Sequence, residues 1–151
     1  MNLPKTCDVF VYGTLKPGEA NYSSYCKAKV VAQIPSYTLG NLYTLPMGYP
    51  AMTVGQNRVY GVLLRFDDSQ ILASLDLLED YQEDRTPDLN EYYRSLTPIY
   101  SLDDRLIGRA WAYLMTRDRV MQYGGVKIAS GCWSEKLSES AAEKIETEKI
   151  G

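Results

Sequence analysis

The chain has 151 residues, 45% of them apolar and 23% charged, with a formal net charge of −3. That describes one globular domain able to bury roughly two-thirds of its unfolded surface. It supplies no basic field for nucleic acid, and no Lys/Arg cluster on a helix creates one locally. Histidine is absent altogether. Ser-His-Asp and Cys-His catalysis and the usual imidazole zinc ligands are therefore excluded, and a carboxylate, Tyr, Lys or Cys must move any proton.

In chain order, residues 8–12 form a short β-branched and aromatic run that reads as a buried strand, and residues 28–34 as a second. The stretch SYTLGNLYTLPMGYPAMTV, with Gly40, Pro46, Gly48 and Pro50 spread through Tyr and Leu, suits short strands joined by tight turns. Residues 58–66 (RVYGVLLRF) are the clearest strand and are expected to cross the middle of a sheet. At 67–82 the spacing turns helical, with Asp67 and Gln70 placed like a capping box. Residues 83–91 read as an exposed polar loop, and 92–100 and 105–115 as strands joined by a turn at 101–104. The expectation is one α+β domain, mainly β with one well-defined helix, over residues 1–133. A charged tail or weak surface helix follows at 134–151.

Thirteen tyrosines stand against two phenylalanines, so the core is expected to contain many polar tips that need partners. Cys7, Cys26 and Cys132 are odd in number and far apart, which argues against a disulfide framework and a structural metal. The first residues show no basic-then-apolar pattern, and no apolar run reaches membrane-spanning length. Neither a signal peptide nor a membrane contact is expected; a reduced cytoplasm fits. Oligomeric state is not legible in the chain.

The helical segment carries one anomaly. At about 100° per residue, Ile71, Leu72, Leu75 and Leu78 define an apolar face, and Glu79 falls inside it, whereas Asp76 lies just beyond its edge. A charged carboxylate aimed into an apolar face costs several kcal/mol unless it is paired or used. Burial would raise its pKa toward the range where it can take and return a proton near neutrality. The alternative is structural: Glu79 satisfies Arg94, Arg65 or a tyrosine hydroxyl.

The run VFVYGTLKPGEANY poses a second question, because its strand ends in more glycine and hydroxyl than a hairpin uses. Gly13-x4-Gly18 has the spacing of a phosphate-binding loop, but Glu19 and Ala20 stand where Lys and Ser or Thr are needed. What remains is a strand end presenting successive backbone N–H groups near the Thr14 hydroxyl, suited to a carboxylate, or else a plain glycine-rich hairpin. The acidic segment at Asp67 lacks the glycine of a calcium loop. Each cysteine, without a histidine to ionise it, reads as a buried thiol.

Taken together, VFVYGTLKPGEANY, LGNLYTLPMGYPAM, LASLDLLEDYQ followed by EYYR, and SGCW resemble the γ-glutamylcyclotransferase-like family, in its AIG2-like and γ-glutamylamine cyclotransferase branch, over about residues 8–133. The resemblance implies a small mixed β-barrel with flanking helices. It implies Glu79 as catalytic acid/base, Tyr12, Gly13, Thr14 and Leu15 as the substrate loop, and Tyr93 and Tyr113 as pocket tyrosines. It further implies a small γ-glutamyl substrate closed to 5-oxoproline, with no metal and no cofactor. A binding or interaction domain on the same fold is the alternative. The segment between Glu79 and Tyr93 is longer and more acidic than the family's short connection, and Asp80 stands where Gly is common; both alter the expected pocket rim.

Overall fold

The computed structural model describes residues 6–13, 15–16, 19, 29–68, 70–79, 81–82 and 90–133. Thr14, Cys26, most of the loop after Glu79 and the expected tail at 134–151 lie outside the described residues. The strands are β1 (Cys7–Val11), β2 (Val30–Thr44), β3 (Pro50–Phe66), β4 (Tyr93–Ser101), β5 (Leu106–Leu114) and β6 (Val126–Lys127). The helices are α1 (Ile71–Leu78) and α2 (Arg117–Gln122).

Strand order is β3-β1-β5-β4-β2-β6, and β2 also pairs with β3, which closes the first five strands into a barrel. Every neighbouring pair is antiparallel except β1 and β5, which run parallel with Val9 opposite Trp111. The barrel is thus mixed, as expected. Its wall is apolar on both sides. Phe10, Leu42, Met52, Val59, Leu63, Ile99, Ala110, Ala112, Leu114 and Trp133 fill the interior. Val9, Val11, Leu64, Phe66, Tyr113 and Met115 form an outer layer with Ile71 and Leu75 of α1. Successive residues of β1 and β5 therefore alternate between two buried environments. This is why β1 reads as an unbroken apolar run rather than as a half-polar strand.

Helix α1 is eight residues long and carries no side-chain cap, so it cannot stand alone in water. Burial of Ile71 and Leu75 against the barrel stabilises it by roughly 1.5–3 kcal/mol each, while Leu77 on the opposite face is 85% exposed.

Several local expectations need correction. Residues 30–44 form one continuous strand of 15 residues, where a strand at 28–34 followed by short strands and tight turns was expected. Gly40 sits at a register shift of β2 against β3, and a Cβ there would lie 2.8 Å from the Thr53 carbonyl oxygen. The glycine serves close strand approach at an irregularity, which has the same local composition as a turn. The turn comes later, where the Gly48 N–H donates to the Leu45 carbonyl at 3.0 Å and Gly48 adopts φ +97°. The capping box does not form, because α1 starts at Ile71, too late for Asp67 to be its N-cap. Asp68 instead accepts from the Gln70 N–H at 2.9 Å. Helix α2 was not foreseen; the Thr116 hydroxyl caps it by accepting from the Arg119 N–H at 3.3 Å.

Candidate active site

The tyrosine-rich core meets its polar tips with protein groups. The Tyr12 hydroxyl donates to the Tyr113 carbonyl at 2.5 Å and accepts from the Met52 N–H at 3.2 Å. The Tyr92 hydroxyl donates to the Pro50 carbonyl at 2.7 Å. Tyr113 donates to Asp76 Oδ1 at 2.6 Å, and Tyr49 to Glu91 Oε1 at 2.8 Å. These bonds tie the end of β1, the β2–β3 turn, α1 and the segment before β4 to one another.

Between these elements lies a cavity of about 250 Å³. The end of β1 supplies Tyr12 and Gly13, with Leu15 just beyond; the β2–β3 turn supplies Tyr49 and Pro50; the end of α1 supplies Leu78 and Glu79; Glu91, Tyr92 and Tyr113 close the remainder. Gly13 is a point of close approach, since a Cβ there would lie 2.6 Å from Pro50 Cγ. Pro50 also holds Tyr92 through its carbonyl, so the glycine sets the spacing of two walls. Gly13→Ala is expected to destabilise the fold by about 1–3 kcal/mol through overpacking, read as a lower urea midpoint at unchanged m-value.

Of the residues singled out in the sequence, Tyr12, Gly13, Leu15, Glu79 and Tyr113 line this one cavity. Thr14 lies outside the described residues. Tyr93 is not among the lining residues: it pairs with Leu114 and packs on the barrel interior, as cross-strand partners on one face do. Its neighbour Tyr92 takes the cavity position. Tyr12 presents its ring, because its hydroxyl is committed on both sides. Tyr49 and Glu91 were missed, although the GYP turn and the EYY run contained them. Of the paired Tyr92 and Tyr93, either a core aromatic or a substrate contact from sequence, which one faces the cavity depends on strand register.

Glu79 follows the last residue of α1 and keeps the helical bond, its N–H donating to the Leu75 carbonyl at 2.9 Å. Among the described residues no hydrogen bond or ion pair meets its carboxyl. The arginines lie beside other carboxylates: Arg94 Nε is 3.2 Å from Asp76 Oδ1, an ion pair without an aligned hydrogen bond, and Arg65 Nε donates to Asp8 Oδ1 at 2.9 Å. Burial, with a contribution from the Glu91 carboxylate, pushes the Glu79 carboxyl up to about 8. Its place at the negative end of α1 acts in the same direction. Tyr12, Tyr92 and Tyr113 are all shifted upward, each chiefly by burial, so they stay protonated and act as donors. Cys7 is a buried thiol as expected, but Cys132 is exposed, contrary to that expectation; neither lines the cavity. Among the described residues no group of His, Cys, Asp or Glu could hold a metal ion, and no helix is long and apolar enough to cross a membrane.

A closed mixed barrel with a short helix packed against it is a small α+β fold. The AIG2-like protein from Mus musculus shares this fold, at a TM-score of 0.59 and 18% identity over 85% of this chain and 88% of that one. Escherichia coli ytfP is 30% identical, with a TM-score of 0.51 over 83% of this chain and 95% of that one. The family model "Gamma-glutamyl cyclotransferase, AIG2-like" matches residues 9–135. A protein of Vibrio cholerae serotype O1 named "Putative gamma-glutamylcyclotransferase" is 30% identical over 129 residues, 85% of this chain and 96% of its own length. The chain belongs to the AIG2-like gamma-glutamyl cyclotransferase family.

Proposed function

We propose that this protein closes γ-glutamyl amides to 5-oxoproline and releases the free amine, with Glu79 as the proton carrier. The observation that carries this reading is the Glu79 carboxyl on the cavity wall, without a partner among the described residues and shifted to about 8. A group titrating there can both accept and return a proton near neutral pH.

The substrate brings its own nucleophile. Its α-amine attacks its γ-carbonyl, a C–N bond forms within a five-membered ring, and the bond to the departing amine breaks. Two protons leave the α-nitrogen and two arrive at the departing nitrogen, so no water is consumed. Glu79 takes a proton from the α-ammonium and delivers it to the leaving amine. The cavity's main task is then to hold the substrate curled, so that nucleophile and carbonyl meet. Tyr12, Leu15 and Tyr113 shape the wall, and backbone N–H groups of the 13–15 loop bind the α-carboxylate.

The test is 5-oxoproline release from a panel of γ-glutamyl amides, with Glu79→Gln in parallel. Release by the wild type and not by the variant supports both the reaction and the residue. Equal turnover by the two would remove Glu79 from the mechanism.

A further inference from the structure

The cavity explains what Glu79 faces, but not what holds it there. Helix α1 fully buries Ile71 and Leu75, toward its start and middle, and half-buries Leu78 against the same layer beside Glu79. Glu79 itself makes no described side-chain contact that would orient it. One polar assembly grips this end of the helix. Asp76 Oδ1 accepts from the Tyr113 hydroxyl of β5 at 2.6 Å and lies 3.2 Å from Arg94 Nε of β4. The backbone carbonyl of the same Asp76 accepts from the Tyr81 N–H at 2.8 Å. The chain is therefore fastened at Asp76 and Tyr81, within one helical turn on either side of Glu79.

Arg94 is fixed in turn by the rings on either side of it. Its guanidinium carbon lies 4.6 Å from the Trp111 ring centre and 5.4 Å from that of Tyr81. Trp111 is on the barrel wall, whereas Tyr81 belongs to the segment leaving the helix. The Arg94 and Asp76 side chains are only 14% and 20% exposed, so the pair sits largely out of water, where loss of one partner is felt strongly. Tyr113 carries the connection to the cavity, because its ring lines it and its carbonyl receives the Tyr12 hydroxyl at 2.5 Å.

We infer that Asp76 and Arg94 are positioning residues for the proposed reaction, clamping the end of α1 to β4 and β5 so that Glu79 points into the cavity. Neither residue lines the cavity, and neither touches the reacting atoms. The inference rests on the proposed role of Glu79, but part of its test does not need turnover.

Asp76→Asn keeps the size of the side chain and an acceptor for Tyr113 while removing the charge that holds Arg94. With the clamp loosened, the Glu79 carboxyl reaches solvent and loses the burial that raises it. The groups facing it from the surrounding elements (Glu91, Tyr92, Tyr49 and Tyr12) are unchanged in this variant, and Tyr113 exchanges a charged acceptor for a neutral one. The expected result is a kcat lower by roughly 10- to 100-fold, as small misplacements of a catalytic group produce, with KM within about threefold. The lower pH limb of kcat/KM moves down from about 8 by on the order of one pH unit. Carbon NMR titration of the Glu79 carboxyl in the free protein should show the same downward movement.

If the wild type releases no 5-oxoproline, the proposed reaction fails while the titration still reads the clamp. If the wild type is active but Asp76→Asn leaves both the limb and the Glu79 titration in place, the clamp is structural and the inference is overturned, even where thermal stability falls. Tyr113→Phe keeps the ring and deletes only the hydroxyl that Asp76 receives. It carries the same test should Asp76→Asn fail to fold.

Discussion

Glu79→Gln is expected to lower turnover by a factor of about 10²–10⁴, with KM changed little and the fold intact. The amide has the same shape as the acid and fits the same wall, so the cavity still binds and curls the substrate. What is lost, on the proposed mechanism, is the group that shuttles protons from the α-nitrogen to the departing nitrogen. The residual rate reflects orientation alone, which the variant retains. The pH profile makes the same point. In the proposed mechanism Glu79 acts in its ionised form, so wild-type kcat/KM is expected to fall as pH drops through about 8, and this limb should be missing in the variant.

The same substitution is expected to stabilise the protein, increasingly so as pH rises. A carboxyl lifted from 4.5 to about 8 in the folded state holds its proton more tightly there than in the unfolded chain. The contribution to stability is fully present below about pH 4.5 and is lost as pH rises through 8. Glutamine never ionises and escapes that loss. Glu79→Gln should therefore gain on the order of 1–3 kcal/mol over wild type at pH 9 and little at pH 5. At roughly 2–4 °C per kcal/mol for a chain of this size, thermal melts at the two pH values will resolve the difference. A variant equally or less stable at pH 9 would mean that Glu79 is not buried at a disadvantage. A site residue that weakens its own fold in the working pH range is the pattern expected of function rather than packing.

The sequence exposed this residue because helical periodicity is a local property. Four apolar side chains set the direction of the buried face, and Glu79 fell within it whatever the rest of the fold did. The partners of the neighbouring charges were not local. Asp76 lay just outside the stripe, and nothing in the chain said that Arg94 would choose it over Glu79. That choice depends on β4 and β5 crossing beside the end of α1. Tyr92 and Tyr93 show the same limit more sharply: adjacent residues point to opposite faces at a strand, so one step of register separates a cavity tyrosine from one on the barrel interior. Similarly, Gly40 looked like a turn because close strand approach and chain reversal favour the same residue. The Tyr49–Glu91 bond joins segments 42 positions apart, and only the closed barrel brings them together.

The most direct test is the product itself. Wild-type protein should be incubated with a γ-glutamyl amide bearing a free α-amine, and with the same compound acetylated on that nitrogen, in water enriched in ¹⁸O. Intramolecular attack predicts unlabelled 5-oxoproline from the first compound and no product from the second. Glutamate carrying the heavy isotope, or equal reaction of the blocked compound, would show attack by water and contradict cyclisation.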